Sequence, residues 1–157
     1  MDVDNAFFYQ ASPVASATIT KRDNAMTPSQ PSSGRTIKQP GPDHPITVTP
    51  ASQRVVVKVA GRILADSRRA LTLKEANYPA VQYIPREDVD MSLLTHTDHA
   101  TYCPYKGECS YYSISTGGER GVNAVWTYEN PYDAVGAIKA HLAFYPDRVD
   151  AIELLDG

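Results

Sequence analysis

Only two cysteines, Cys103 and Cys109, occur in the 157 residues, so one disulfide is the most the chain can form. That excludes a small scaffold stapled by several bridges. Phenylalanine is scarce, at three, and Trp126 is the single tryptophan, so aromatic surface rests on ten tyrosines. No run approaches the roughly 18 apolar residues of a membrane-spanning helix, and no membrane partner is expected. Basic clustering stops at the pairs Lys21-Arg22 and Arg68-Arg69. A phosphate-tracking surface needs grouped Lys and Arg, so nucleic acid is not an expected partner. The weakly apolar stretch from Ala6 to Ile19 follows the acids Asp2 and Asp4. A secretory leader starts basic. The expectation is a cytoplasmic, reducing setting with both thiols free.

What is present describes one domain preceded by a tail. Residues 1–43 hold Pro13, Pro28, Pro31, Pro40 and Pro42 among many Ser, Thr and Gln. They offer little apolar surface to repay ordering and read as a disordered, low-complexity segment. From His44 the pattern turns to short strands. Val55, Val57 and Val59 alternate with Val56, Lys58 and Ala60, and Gly61-Arg62 turns the chain into Ile63–Asp66. Leu71 and Leu73 alternate inward. The strand at Val81–Ile84 stops at Pro85, where one helical turn begins. Tyr102–Thr116 reads as a hairpin about Lys106-Gly107, and Val122–Glu129 as the next strand. Asn130-Pro131 has the form of a helix start. Ala134, Val135, Ile138, His141, Leu142 and Tyr145 follow helical spacing, which predicts a helix over about 131–145. A last strand falls at Ala151–Leu155. Many short strands with one late helix make the domain mainly β, in the α+β class.

The blocks themselves resemble a known family. Arg54–Ser67 (RVVVKVAGRILADS), Tyr83–Val89 (YIPREDV), Thr101–Gly107 (TYCPYKG), Trp126–Tyr128 with Pro131, and His141–Tyr145 (HLAFY) resemble, in order, the domain of unknown function 427 family. The resemblance covers residues 44–157. It implies a β-tent, two antiparallel sheets leaning together with a helix alongside. The family also carries a nucleotidyltransferase label, which implies an enzyme but assigns no residues.

Several constellations carry chemistry. Nucleotidyl transfer needs paired carboxylates on magnesium, and Asp88-Val89-Asp90 has suitable spacing only if extended. No phosphate-cradling GxxxxGK[ST] loop accompanies it. His96, His99, Cys103 and Cys109 form H-x₂-H-x₃-C-x₅-C, compact but lacking paired CxxC motifs. The domain is therefore expected to fold without metal or other cofactor. Cys103 is a candidate nucleophile and Lys106 the cation that would activate it, though a strand cysteine is commonly a small buried hydrophobe. Tyr83, Tyr105, Tyr112, Trp126 and Tyr128 supply rings for a cage, with Glu75, Arg86 and Lys106 as convergent polar groups. The expected ligand site is a cleft bordered by Tyr83, Arg86, Cys103, Lys106, Tyr112 and Trp126. Its aromatic walls and cationic rim would take a planar, anionic or carbonyl-bearing small molecule. In that expectation Lys106 sits exposed at a hairpin bend. An enzyme acting through Cys103 or transfer chemistry is the alternative, and a structural interaction module the third.

Overall fold

A computed structural model describes residues 35–156. Ten strands run β1 (Ile46–Pro50), β2 (Arg54–Val59), β3 (Arg62–Ser67), β4 (Leu71–Glu75), β5 (Val81–Pro85), β6 (Leu94–Cys103), β7 (Gly107–Ile114), β8 (Val125–Thr127), β9 (His141–Phe144) and β10 (Ala151–Leu155). They form two antiparallel sheets, one of seven strands in the order β1-β4-β5-β9-β8-β7-β6 and one of three in the order β10-β2-β3. The large sheet remains open, with β1 and β6 at its edges. Every helical piece among the described residues is a 3₁₀ turn, and no helix there is long and apolar enough to cross a membrane.

The expected β2–β3 hairpin forms around Ala60 and Gly61, whose φ values of 51° and 77° give two consecutive left-handed residues. Such a pair makes the two-residue turn whose twist matches antiparallel strands. Val55, Val57 and Val59 then face the large sheet. They pack in one core with Leu64, Ile84, Tyr112, Ile114, Val125, Leu142 and Phe144.

A second core lies on the other face of the large sheet. It gathers Leu73, Tyr83, Cys103, Cys109, Tyr111, Trp126, Tyr128, Val135, Ile138, Ala143 and Tyr145. The large sheet is thus buried on both sides, and this decides the fate of the helix expected over 131–145. That segment is instead a 3₁₀ turn at Asp133–Ile138, kinked at Val135, followed by β9. Asn130 does not cap the turn; Tyr132 occupies that position without a side-chain cap bond. Ala140, at φ 59°, reverses the chain into β9, which pairs with β5 and β8 in the middle of the sheet. Leu142 and Phe144 enter one core, Ala143 and Tyr145 the other. A strand covered on both faces loses its polar–apolar alternation and reads like a buried helix. Val135 and Ile138 cap the second core from the turn.

Residues 35–45, within or bordering the stretch read as tail, lie along the β6–β7 hairpin. Arg35 stacks over Tyr102 and pairs with Glu108 at 3.1 Å, Tyr102 Oη donates to the Thr36 carbonyl, and Lys38 N donates to the Pro104 carbonyl. The rest of that reading, residues 1–34, lies outside the described residues.

Candidate functional site

The six residues expected to share one cleft divide between the two faces of the large sheet. Tyr83, Cys103 and Trp126 belong to the second core, and Lys106 joins them, its Nζ 5.8 Å from the centroid of the Tyr128 ring. Tyr112 points to the first core, where Arg86 Nη1 donates to its hydroxyl at 3.1 Å and the guanidinium lies 5.8 Å from its ring centroid. Adjacent residues on a strand face opposite ways, so Tyr111 and Tyr112 cannot serve the same pocket.

Lys106 is not the exposed bend residue that its Pro-Tyr-Lys-Gly setting suggests. It is 2% exposed and its Nζ donates to Glu75 Oε1 at 2.5 Å. The backbone of the turn is held by Lys106 N to the Cys103 carbonyl and Tyr132 N to the Lys106 carbonyl. Gly107 holds φ 110°, and a side chain there would meet the backbone of Asn130 and Pro131. The other Glu75 oxygen lies 2.7 Å from His44 Nε2, and the His44 ring stacks on Tyr105 with centroids 4.1 Å apart. Burial opposes the ammonium, but Cys103 and Glu75 beside it outweigh that penalty and raise its pKa. The convergence of Glu75 with Lys106 read from the sequence is present; Arg86 does not join it.

Around this pair the thiols and phenols are desolvated. Burial pushes Cys109 up to about 12, against the hydroxyls of Tyr111, Tyr128 and Thr101 that favour its thiolate. The Tyr128 hydroxyl is close enough to act on that thiol, yet the geometry falls short of a hydrogen bond and leaves it without one. Tyr83, Tyr111, Tyr128 and Tyr145 are all raised, chiefly by burial. Cys103 is fully buried. Cys109 and the four tyrosines hold their protons more tightly folded than unfolded. The stability they contribute is complete below the unfolded values and is lost as pH rises through the folded ones. Urea midpoints are therefore expected to fall steeply from about pH 9 toward 12, with the absorbance of these four tyrosinates appearing only as the protein unfolds. Tyrosinate absorbance reaching its full value while the fold persists would contradict the burial of these phenols.

The other constellations are dispersed. His96 packs edge-on against Tyr112, whereas His99 packs against Tyr111 on the opposite face. Among the described residues no three His, Cys, Asp or Glu side chains are grouped to hold a metal. Asp88 is engaged by Arg69 at 3.0 Å and Ser67 Oγ at 2.6 Å, and the Arg69 bond, with help from Ser67, lowers its pKa. Asp90 instead caps its own turn, accepting from Ser92 N and Oγ. The two carboxylates serve separate structural bonds.

Surface cavities open among the described residues. One, of about 280 Å³, lies between the sheets. Val55 and Val57 of β2 and Ile152 and Leu154 of β10 form one wall; Ile84, Trp126 and Phe144 stand on the other, with Ala80 and Gln82 at the start of β5. Thr72 Oγ1 donates to Gln82 Oε1 at 2.9 Å, which leaves the Gln82 amide nitrogen as the donor facing an otherwise apolar space. Of the six expected residues only Trp126 borders it. The second cavity, of about 300 Å³, is lined by His99, Tyr111, Val122, Asn123, Tyr145, Asp147 and Arg148. None of its residues was singled out as a pocket wall from the sequence, because they come from four separate segments with no common spacing.

Two antiparallel sheets with the Arg54–Ser67 hairpin in the smaller one and the Thr101–Gly107 turn in the larger place the matching blocks in a single architecture. The chain belongs to the family described as Domain of unknown function (DUF427), whose model matches residues 47–154. Among curated proteins, none matches it.

Proposed function

We propose that the domain is a small-molecule-binding module whose ligand enters between the two sheets. The observation that supports this reading most is the 280 Å³ cavity with apolar walls and Gln82 as its polar group. Such a space favours an uncharged, flat or acyl compound, bound by apolar contact and oriented by a carbonyl that accepts from the Gln82 amide. This keeps the carbonyl-bearing ligand expected from the sequence and moves it to different walls. A nucleoside triphosphate fits poorly, since no cation lines the cavity. Transfer chemistry is equally unsupported by Asp88 and Asp90, which are committed elsewhere.

The test is a thermal-shift series with uncharged ring compounds bearing a carbonyl, acetanilide first, on the natural chain and on Ala80→Phe. Ala80 is exposed at the cavity mouth, so the larger side chain should block entry with a change in folding stability within about 0.5 kcal/mol. Stabilisation of the natural chain that Ala80→Phe abolishes supports the proposal. Stabilisation that survives it, or none across the series, overturns it.

A further inference from the structure

We infer that the second cavity is a separate site for a small zwitterion of the α-amino-acid type. The cavity is built where the His99 bulge of β6, the centre of β7, the loop before β8 and the turn after β9 meet. It places one anchored cation and one exposed anion together. Arg148 is anchored by Nη1 donating to the Val122 carbonyl at 2.8 Å and more weakly to the Arg120 carbonyl at 3.4 Å. One edge of the guanidinium is thereby held in place, while its remaining N–H groups are uncommitted among the described residues. Asp147, the preceding residue, is exposed and makes no ion pair among the described residues. Both charges lie close enough to the Tyr145 hydroxyl to act on it in opposite senses.

The remaining groups sharpen the match. Asn123 holds a left-handed backbone at φ 52°, and its N–H is taken by Ser113 Oγ at 2.9 Å. Its Oδ1 accepts from Thr97 Oγ1 at 2.7 Å, so the side-chain amide is oriented with Nδ2 as its free donor. A carboxylate can therefore meet two kinds of donor, the guanidinium and an amide. The exposed His99 ring, packed on the buried Tyr111 with centroids 4.4 Å apart, gives an aromatic surface beside the edge of Tyr145, and Val122 adds an apolar edge. Desolvation lowers the His99 pKa, which keeps the imidazole neutral near pH 7 and adds no second cation. A simple anion would meet Asp147 as well as Arg148, and a simple cation the reverse. A molecule carrying both charges satisfies both, with its side chain against His99 and Val122. The cavity volume suits a single amino acid rather than a peptide.

The experiment is isothermal titration of the full chain with L-phenylalanine, 3-phenylpropionate and phenethylamine, which share a ring and differ in charge. L-Phenylalanine is expected to bind at least about tenfold more tightly than either analogue, because each lacks one charge-assisted partner. Asp147→Asn should abolish the advantage over 3-phenylpropionate and leave that over phenethylamine. Arg148→Gln should do the converse; Asp147→Asn stands alone should the glutamine variant fold poorly. Equal binding of the three compounds, no binding of L-phenylalanine, or an unchanged preference in Asp147→Asn overturns the site. Ala80→Phe leaves this titration unchanged, so failure here and failure of the inter-sheet cavity are read separately.

Discussion

Lys106→Ala is expected to lower the free energy of unfolding by about 3–5 kcal/mol, the range seen when one member of a buried ion pair is removed. Glu75 would stay in the core without the ammonium that donates to its Oε1. The cost comes from a stranded charge, and the loss of attraction is the smaller part of it. Lys106→Met combined with Glu75→Gln should recover at least half of the loss, because the amide keeps a contact to His44 and no charge remains buried. Urea unfolding followed by circular dichroism measures both. A loss below about 1 kcal/mol in the single variant would mean that the ammonium reaches water, as surface pairs do.

Trp126→Ala is the second large effect, again about 3–5 kcal/mol, for a fully buried aromatic. The indole lies 4.4 Å from the Tyr145 ring and 6.3 Å from the Tyr83 ring between centroids, and its Nε1 donates to Tyr83 Oη at 3.1 Å. Truncation leaves a cavity and also strands the Tyr83 hydroxyl, 1% exposed as a residue, for which an unpaired buried group costs about 1–3 kcal/mol. Adding Tyr83→Phe to the Trp126→Phe variant should therefore restore part of its stability. The same second change in the natural chain should cost stability. Strictly additive losses would show that the indole–phenol bond contributes nothing.

These two residues also show how far the sequence carried. Trp126 was legible as a ring on the strand read at Val122–Glu129, which the structure shortens to β8 and buries in the second core. The β2–β3 hairpin was legible because Val55, Val57 and Val59 alternate on a sheet that faces a core on one side. Lys106 was misjudged through its local setting. A Pro-Tyr-Lys-Gly turn reads as solvent-facing, and its partner Glu75 lies 31 residues away on a different strand. β9 was hidden for a related reason: with Leu142 and Phe144 in one core and Ala143 and Tyr145 in the other, no period-2 signal survives.

The candidate sites were the least legible part. Burial of the large sheet on both faces separates Tyr112 and Arg86 from Tyr83, Cys103 and Lys106, and nothing in the spacing reveals which way each ring turns. An aromatic surface beside a cationic rim does occur, but at His99 and the edge of Tyr145, with Arg148. Of that cavity's lining residues, His99 was read only as a possible metal ligand and Asn123 was not read at all. His99 sits at a register shift between His96 and Ala100, and Asn tolerates the left-handed backbone of the turn before β8.

The most direct test of an inter-sheet binding module is methyl-resolved NMR of the full chain, titrated with the tightest-binding carbonyl compound from the thermal-shift series. The account predicts shifts concentrated on Val55, Val57, Ile84, Ile152 and Leu154, which line the cavity, with Leu73, Val135 and Ile138 on the far core unmoved. Shifts centred on those far-core methyls, with the cavity walls silent, would contradict it.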